Sequence, residues 1–166
     1  MIAYKFLDEG GVSPFAGFRW PVGEWVEAAG AERCRLGIHA CRRDDLPFWL
    51  GRELWEIELE DEVVAHRRKV VAQRGRLVRR VEAWNQALLE EFGRSVLGRT
   101  RGRFGSVPLV SGYVADIERF LALGRVPIAA FAAARAAELS GGAAAYDRER
   151  LRQAGWLADR LGLGST

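Results

Sequence analysis

Lysine, histidine, cysteine, asparagine and methionine are all scarce in this chain of 166 residues. It holds two cysteines, Cys34 and Cys41, and two histidines, His39 and His66. Two cysteines at Cys-x6-Cys spacing exclude a disulfide-dense secreted scaffold and read more naturally as thiols or ligands. The longest apolar run, Val126 to Ala134, is far too short to span a bilayer, which excludes a helical membrane protein. No apolar h-region follows Lys5, so no signal peptide is read and the expected location is cytoplasmic. No phosphate-cradling glycine loop, hydrolase serine elbow or dinucleotide fingerprint is found.

Arginine takes the place of lysine: only Lys5 and Lys69 carry amines on their side chains. The net charge of +3 is modest, so basic character matters only where it clusters. With 49% hydrophobic and 28% charged residues the composition is that of an ordinary globular chain, read as one domain over 1–166. No membrane partner is expected.

The pattern is β-rich at first. Ala3–Leu7, Glu24–Glu27 and Gly37–Cys41 read as short strands, and Asp44–Leu50 as a short helix with Asp44 as its cap. Leu54–Glu60 alternates, with Trp55, Ile57 and Leu59 on one face and Glu56, Glu58 and Glu60 on the other. Asp61-Glu62 turns the chain into an expected strand over 63–71, whose His66-Arg67-Arg68-Lys69 would pair with the acidic row. From Leu77 the apolar period becomes helical: Leu77, Val81, Trp84, Leu88, Phe92 and Val96. Gly98–Ser106 reads as a basic glycine loop. Further helices follow: one through Val110–Leu121, one from Pro127 to Gly141, and one capped by Asp147 and stopped by Gly162. The expected class is α+β, an antiparallel β-rich part (1–76) packed against about four helices (77–166), with a cleft between them.

The stretch from Cys34 to Arg43 concentrates the chemistry. His39 and Cys41 lie two apart on a strand and so share a side. A zinc site through Cys34, His39 and Cys41, with His66 or an aspartate completing it, is one reading, although Cys-x4-His-x-Cys is not a standard finger spacing. A nucleophilic Cys41 beside His39 is another. The blander reading makes both cysteines small buried hydrophobes. Polyanion binding would use Arg67, Arg68 and the run Arg99, Arg101 and Arg103.

Tyr4-Lys5, Gly17-Phe18, Cys34-Arg35-Leu36-Gly37-Ile38-His39-Ala40-Cys41, Phe48-Trp49 and Glu56-Ile57-Glu58 together resemble a family of phage and bacterial domains of unknown function. That likeness spans roughly residues 2–72 and bears on fold more than activity. Gly37-Ile38-His39-Ala40 followed by Leu54-Trp55-Glu56-Ile57 also resembles the ADP-ribosyltransferases of the poly(ADP-ribose) polymerase type. This resemblance implies an NAD cleft with His39 in the place of the ring-stacking tyrosine. It makes Glu56 and Glu58 the catalytic candidates, and Tyr4, Lys5, Arg42 and Arg43 the candidate ligand-binding residues. The first-strand His-Gly of that family is absent. The competing expectation is a non-enzymatic module for nucleic acid or a protein.

Overall fold

The computed structural model describes residues 1–29 and 37–164. The chain is α+β and divides into two compact units, residues 1–85 with 161–166, and residues 86–160. The junction thus lies at Asn85/Gln86, beyond the expected boundary at 76/77.

Among the described residues the first unit holds seven strands: β1 (Ile2–Leu7), β2 (Trp25–Glu27), β3 (Ile38–Ala40), β4 (Glu53–Glu60), β5 (Val64–His66), β6 (Lys69–Ala72) and β7 (Arg74–Arg80). A six-residue 3-10 helix, Arg43–Phe48, separates β3 from β4. Its N-cap is Arg42, and Asp44 sits in its first turn rather than capping it. Four strands make one antiparallel sheet in the order β1-β4-β7-β2, and three make a second in the order β3-β6-β5. The two are tied through a bridge in which Tyr4 and Cys41 exchange backbone hydrogen bonds of 2.8 and 2.7 Å. The alternation of β4 is borne out: Trp55, Ile57 and Leu59 are buried in a core with Ala3, Leu7, Trp20, Ile38, Val70 and Leu77.

Two expected elements resolve differently. The strand over 63–71 is a hairpin, β5 and β6, closed by Arg67-Arg68 between the paired His66 and Lys69. Arg67 takes a φ of 45°, unusual for a side-chain-bearing residue. The hairpin tip is held from outside, since the Arg67 carbonyl accepts from Arg42 Nη2 and the Arg68 carbonyl from Trp49 Nε1. The acidic row of β4 therefore does not face this segment. It pairs with β7 instead, Glu60 with Arg74, Glu58 with Arg76 and Glu56 with Arg79.

The helical period expected from Leu77 is a second correction, because residues 74–80 are strand β7. Its register slips by one residue between Glu56 and Ile57, which face Arg79 and Leu77, leaving Val78 as the extra residue of a β-bulge. The bulge interrupts the two-residue alternation and leaves buried Leu77 and Val81 four apart, a spacing that mimics a helix.

The second unit is built from α1 (Gln86–Phe104), α2 (Pro108–Ala122), α3 (Val126–Gly141) and α4 (Ala143–Leu161), whose last residue falls to the other unit. The expected glycine loop from Gly98 is helical through Phe104. Phe92, Val96, Thr100 and Phe104 are all buried at intervals of four, so one apolar stripe carries the helix past Gly98 and Gly102. α4 starts at Ala143, so Asp147 lies within it rather than capping it. α3 is buried nearly all round by its alanines, which allow close approach of its neighbours. Gly93 of α1 serves the same end: a Cβ there would lie 2.6 Å from Leu121 Cδ2. α4 joins through Phe92 against Trp156 and through Gln153 Nε2, which donates to the Ala130 carbonyl at 3.0 Å.

Candidate functional site

A cleft of about 750 Å³ opens in the β-rich unit, lined by that unit's own residues. Its walls come from β1, β3, the loop around Ser13–Trp20 and the segment around Phe48–Gly51. The geometry follows from the sheet split. β1 meets the end of β3 through the bridge between Tyr4 and Cys41, and the cleft lies beside that bridge.

The loop wall is held by a buried carboxylate. Glu53, at the start of β4, accepts the backbone N–H groups of Gly10 and Gly11 and the indole N–H of Trp55, each at 3.0 Å. Arg80 lies 3.2 Å from the same group. Burial alone would raise the Glu53 pKa, but these hydrogen bonds and the Arg80 charge outweigh it and hold it below the usual carboxylate range. Gly10 and Gly11 both take positive φ, as this turn requires. Further along the loop, Trp20 Nε1 donates to Ser13 Oγ at 2.9 Å, and Phe18 meets Trp20 edge to face. The loop thus presents Phe15, Phe18 and Trp20 to the cleft.

Two basic groups stand in this aromatic setting. Lys5 alternates with the core residues Ala3 and Leu7 on one side of β1. Its Nζ donates to the His39 carbonyl at 2.6 Å and lies 4.9 Å from the Trp20 ring centre. Burial lowers its pKa to about 8. His39 sits between buried Ile38 and Ala40 on β3. Its Nε2 is buried and has no hydrogen-bond partner among the described residues. Burial, with the charges of Lys69 and Lys5, pushes the imidazole below the ordinary histidine range and keeps it neutral at pH 7. Lys69 also borders the cleft.

The sequence-derived candidates separate on this geometry. Tyr4, Lys5, His39 and Cys41 border the cleft. Glu56 and Glu58 do not; they are held by Arg79 and Arg76 in cross-strand ion pairs. Arg42 binds buried Asp45 at 2.8 Å, and Arg43 lies 3.7 Å from Asp44; neither lines the cleft. Arg68 stacks on Phe48. Arg99 pairs with Glu149 and Arg101 with Glu118, on a helix of the other unit, while Arg103 stacks on Phe104.

Cys34 of the zinc reading lies outside the described residues. Among the described residues no three His, Cys, Asp or Glu side chains gather in a way that could hold a metal. Cys41 is a free, buried thiol, and burial, with Asp45 nearby, pushes it far above the range of a reactive cysteine. Among the described residues, no helix is long and apolar enough to cross a membrane.

The cleft residues that the sequence did not mark are Phe15 and Trp20; Phe48-Trp49 entered only through the family resemblance, and Lys69 only as part of the basic run from His66. The aromatic density of 15–20 and 48–49, set in glycine- and proline-containing turns, was the available signal. The chain matches no protein-family model, no curated protein and no solved structure.

Proposed function

We propose that the cleft of the β-rich unit binds a small ligand that combines a flat ring with an anionic group. NAD, the ligand implied by the resemblance to ADP-ribosyltransferases, is the first molecule to test. The observation that carries this reading is His39 in the cleft wall, whose buried Nε2 has no hydrogen-bond partner among the described residues. Leaving such an atom without a partner costs about 1–3 kcal/mol, and a ligand hydrogen bond would recover it. Phe15, Phe18, Trp20 and Trp49 supply ring surfaces, and Lys5 and Lys69 supply positive charge. Glu56 and Glu58 remain the transfer candidates by resemblance alone. Their ion pairs outside the cleft lend that role no support, so the reading is one of binding, with no transfer step assigned.

Calorimetric titration of NAD is the test. Saturable binding is expected, weakened about tenfold or more in His39→Ala, where a lost buried hydrogen bond counts for more than 1 kcal/mol. Absence of binding at millimolar NAD removes the nucleotide.

A second reading, a non-enzymatic module, rests on Phe15, which is 98% exposed at the cleft rim. An aromatic ring so placed suits a macromolecular partner that covers it. For a nucleic acid, oligonucleotide binding would fall steeply with salt.

A further inference from the structure

Lys5 differs from the arginines around it. Those of β7 each face a glutamate, whereas the Lys5 amine meets no carboxylate among the described residues. One carbonyl, that of His39 at 2.6 Å, fixes the direction of Nζ, and the face of Trp20 covers it. That carbonyl and ring offset only part of the cost of burying an ammonium, so Lys5 gives up its proton more readily than an ordinary lysine. An amine that deprotonates near pH 8 and lines a cleft with aromatic walls has the setting of a nucleophile rather than of a structural ion pair.

We propose that Lys5 condenses reversibly with the carbonyl group of an aromatic aldehyde or ketone held in the cleft. The Nζ lone pair forms the new C–N bond while the carbonyl π bond opens, giving a carbinolamine. The carbinolamine then loses water: both amine hydrogens end on the former carbonyl oxygen, the C–O bond breaks, and a C=N bond remains. The ring of the carbonyl compound is taken by the same aromatic walls. The inference rests on the cleft and on Lys5, and it does not depend on the nucleotide reading.

The scarcity of lysine makes the test clean, because Lys5, Lys69 and the Met1 α-amine are the only primary amines of the chain. The full chain is incubated with benzaldehyde and sodium cyanoborohydride near pH 8, and peptide mass spectrometry follows the reduced benzyl adduct over time. Lys5 is expected to be labelled about tenfold or more faster than Lys69, since its amine lies below the ordinary lysine range and carries more of the neutral form. Lys5→Arg should abolish the fast adduct while Lys69→Arg retains it. Labelling of Lys69 as fast as Lys5, or an unmodified Lys5, overturns the proposal. The wild-type peptide map decides this even if Lys5→Arg fails to fold. Fast Lys5 labelling without NAD binding would support the amine and remove the nucleotide; NAD binding with an inert Lys5 would do the reverse.

Discussion

The two units treat buried polarity in opposite ways. In the helical unit, most buried polar side chains satisfy one another, Arg99 Nε being the exception among the described residues. Arg150 donates to Gln153 and stacks on Phe131 and Tyr146, and Gln153 donates to Ala130 and Glu149. Arg99 reaches Glu149 as well. The β-rich unit does the same at Glu53, where four donors converge on one carboxylate. It does not do so around its cleft, where, among the described residues, an amine lacks a carboxylate and a buried imidazole nitrogen lacks a partner. Uncompensated polarity lowers stability, and a fold tolerates it where another molecule completes it. What sets the β-rich unit apart is that its unpartnered imidazole belongs to a residue that lines a cleft.

The largest effect is expected at the satisfied carboxylate. Glu53→Ala strands two backbone N–H groups, an indole N–H and the Arg80 charge, and should lower unfolding free energy by about 3 kcal/mol in denaturant titration. The same group sets an acid limit. Its folded pKa lies below its unfolded value, so its contribution is full above the unfolded carboxylate range and is lost as pH falls through the folded pKa. Wild type should lose stability in acid over a window that Glu53→Gln does not show.

Next comes the helical unit. Gly93→Val should cost about 2 kcal/mol through overpacking against Leu121, while ligand binding in the other unit is retained. Loss of NAD binding in this variant would mean that the cleft depends on more than the β-rich unit.

Lys5 is expected to act in the opposite direction. Its folded pKa of about 8 lies below that of an unfolded lysine, so the folded state sheds its proton first and stability rises with pH from about 8 upward. Lys5→Met should remove that rise and raise stability at pH 7 by about 1 kcal/mol. A destabilised Lys5→Met would make the amine a structural anchor. His39→Ala should change stability by less than about 1 kcal/mol, because no hydrogen bond of its Nε2 is lost, while weakening the ligand. A loss of about 1–3 kcal/mol with unaltered binding would make it a packing residue.

The smallest effect is expected on the outer face of the sheet. Glu56→Gln loosens a partly exposed ion pair with Arg79 and should cost about 0.5 kcal/mol, with NAD binding unchanged. A marked loss of binding would return Glu56 to the site.

Much of this molecule was legible from side-chain pattern alone, where one local rule acted without competition. The alternation of Trp55, Ile57 and Leu59, the strand at Ile38–Ala40, the apolar stripe of α2, the proline that opens α3 and the stop at Gly162 are of this kind. So is the prominence of His39, because the scarcity of histidine drew the eye to it. What misled was pattern produced by tertiary pairing. A bulge at Val78 turned a strand into an apparent helical period, and a hairpin turn at Arg67-Arg68 hid inside a run that looked like one strand. The acidic row of β4 had two basic segments to choose from, and only strand order decided for β7 over the hairpin. The glutamates were taken into ion pairs by that choice, and Lys5 was left without one, because charge pairing depends on which strands are neighbours and not on distance along the chain. Composition and periodicity thus determined the class, most of the elements and the histidine; the splitting of the sheet beside Tyr4 and Cys41 decided that a cleft exists there and which groups face it.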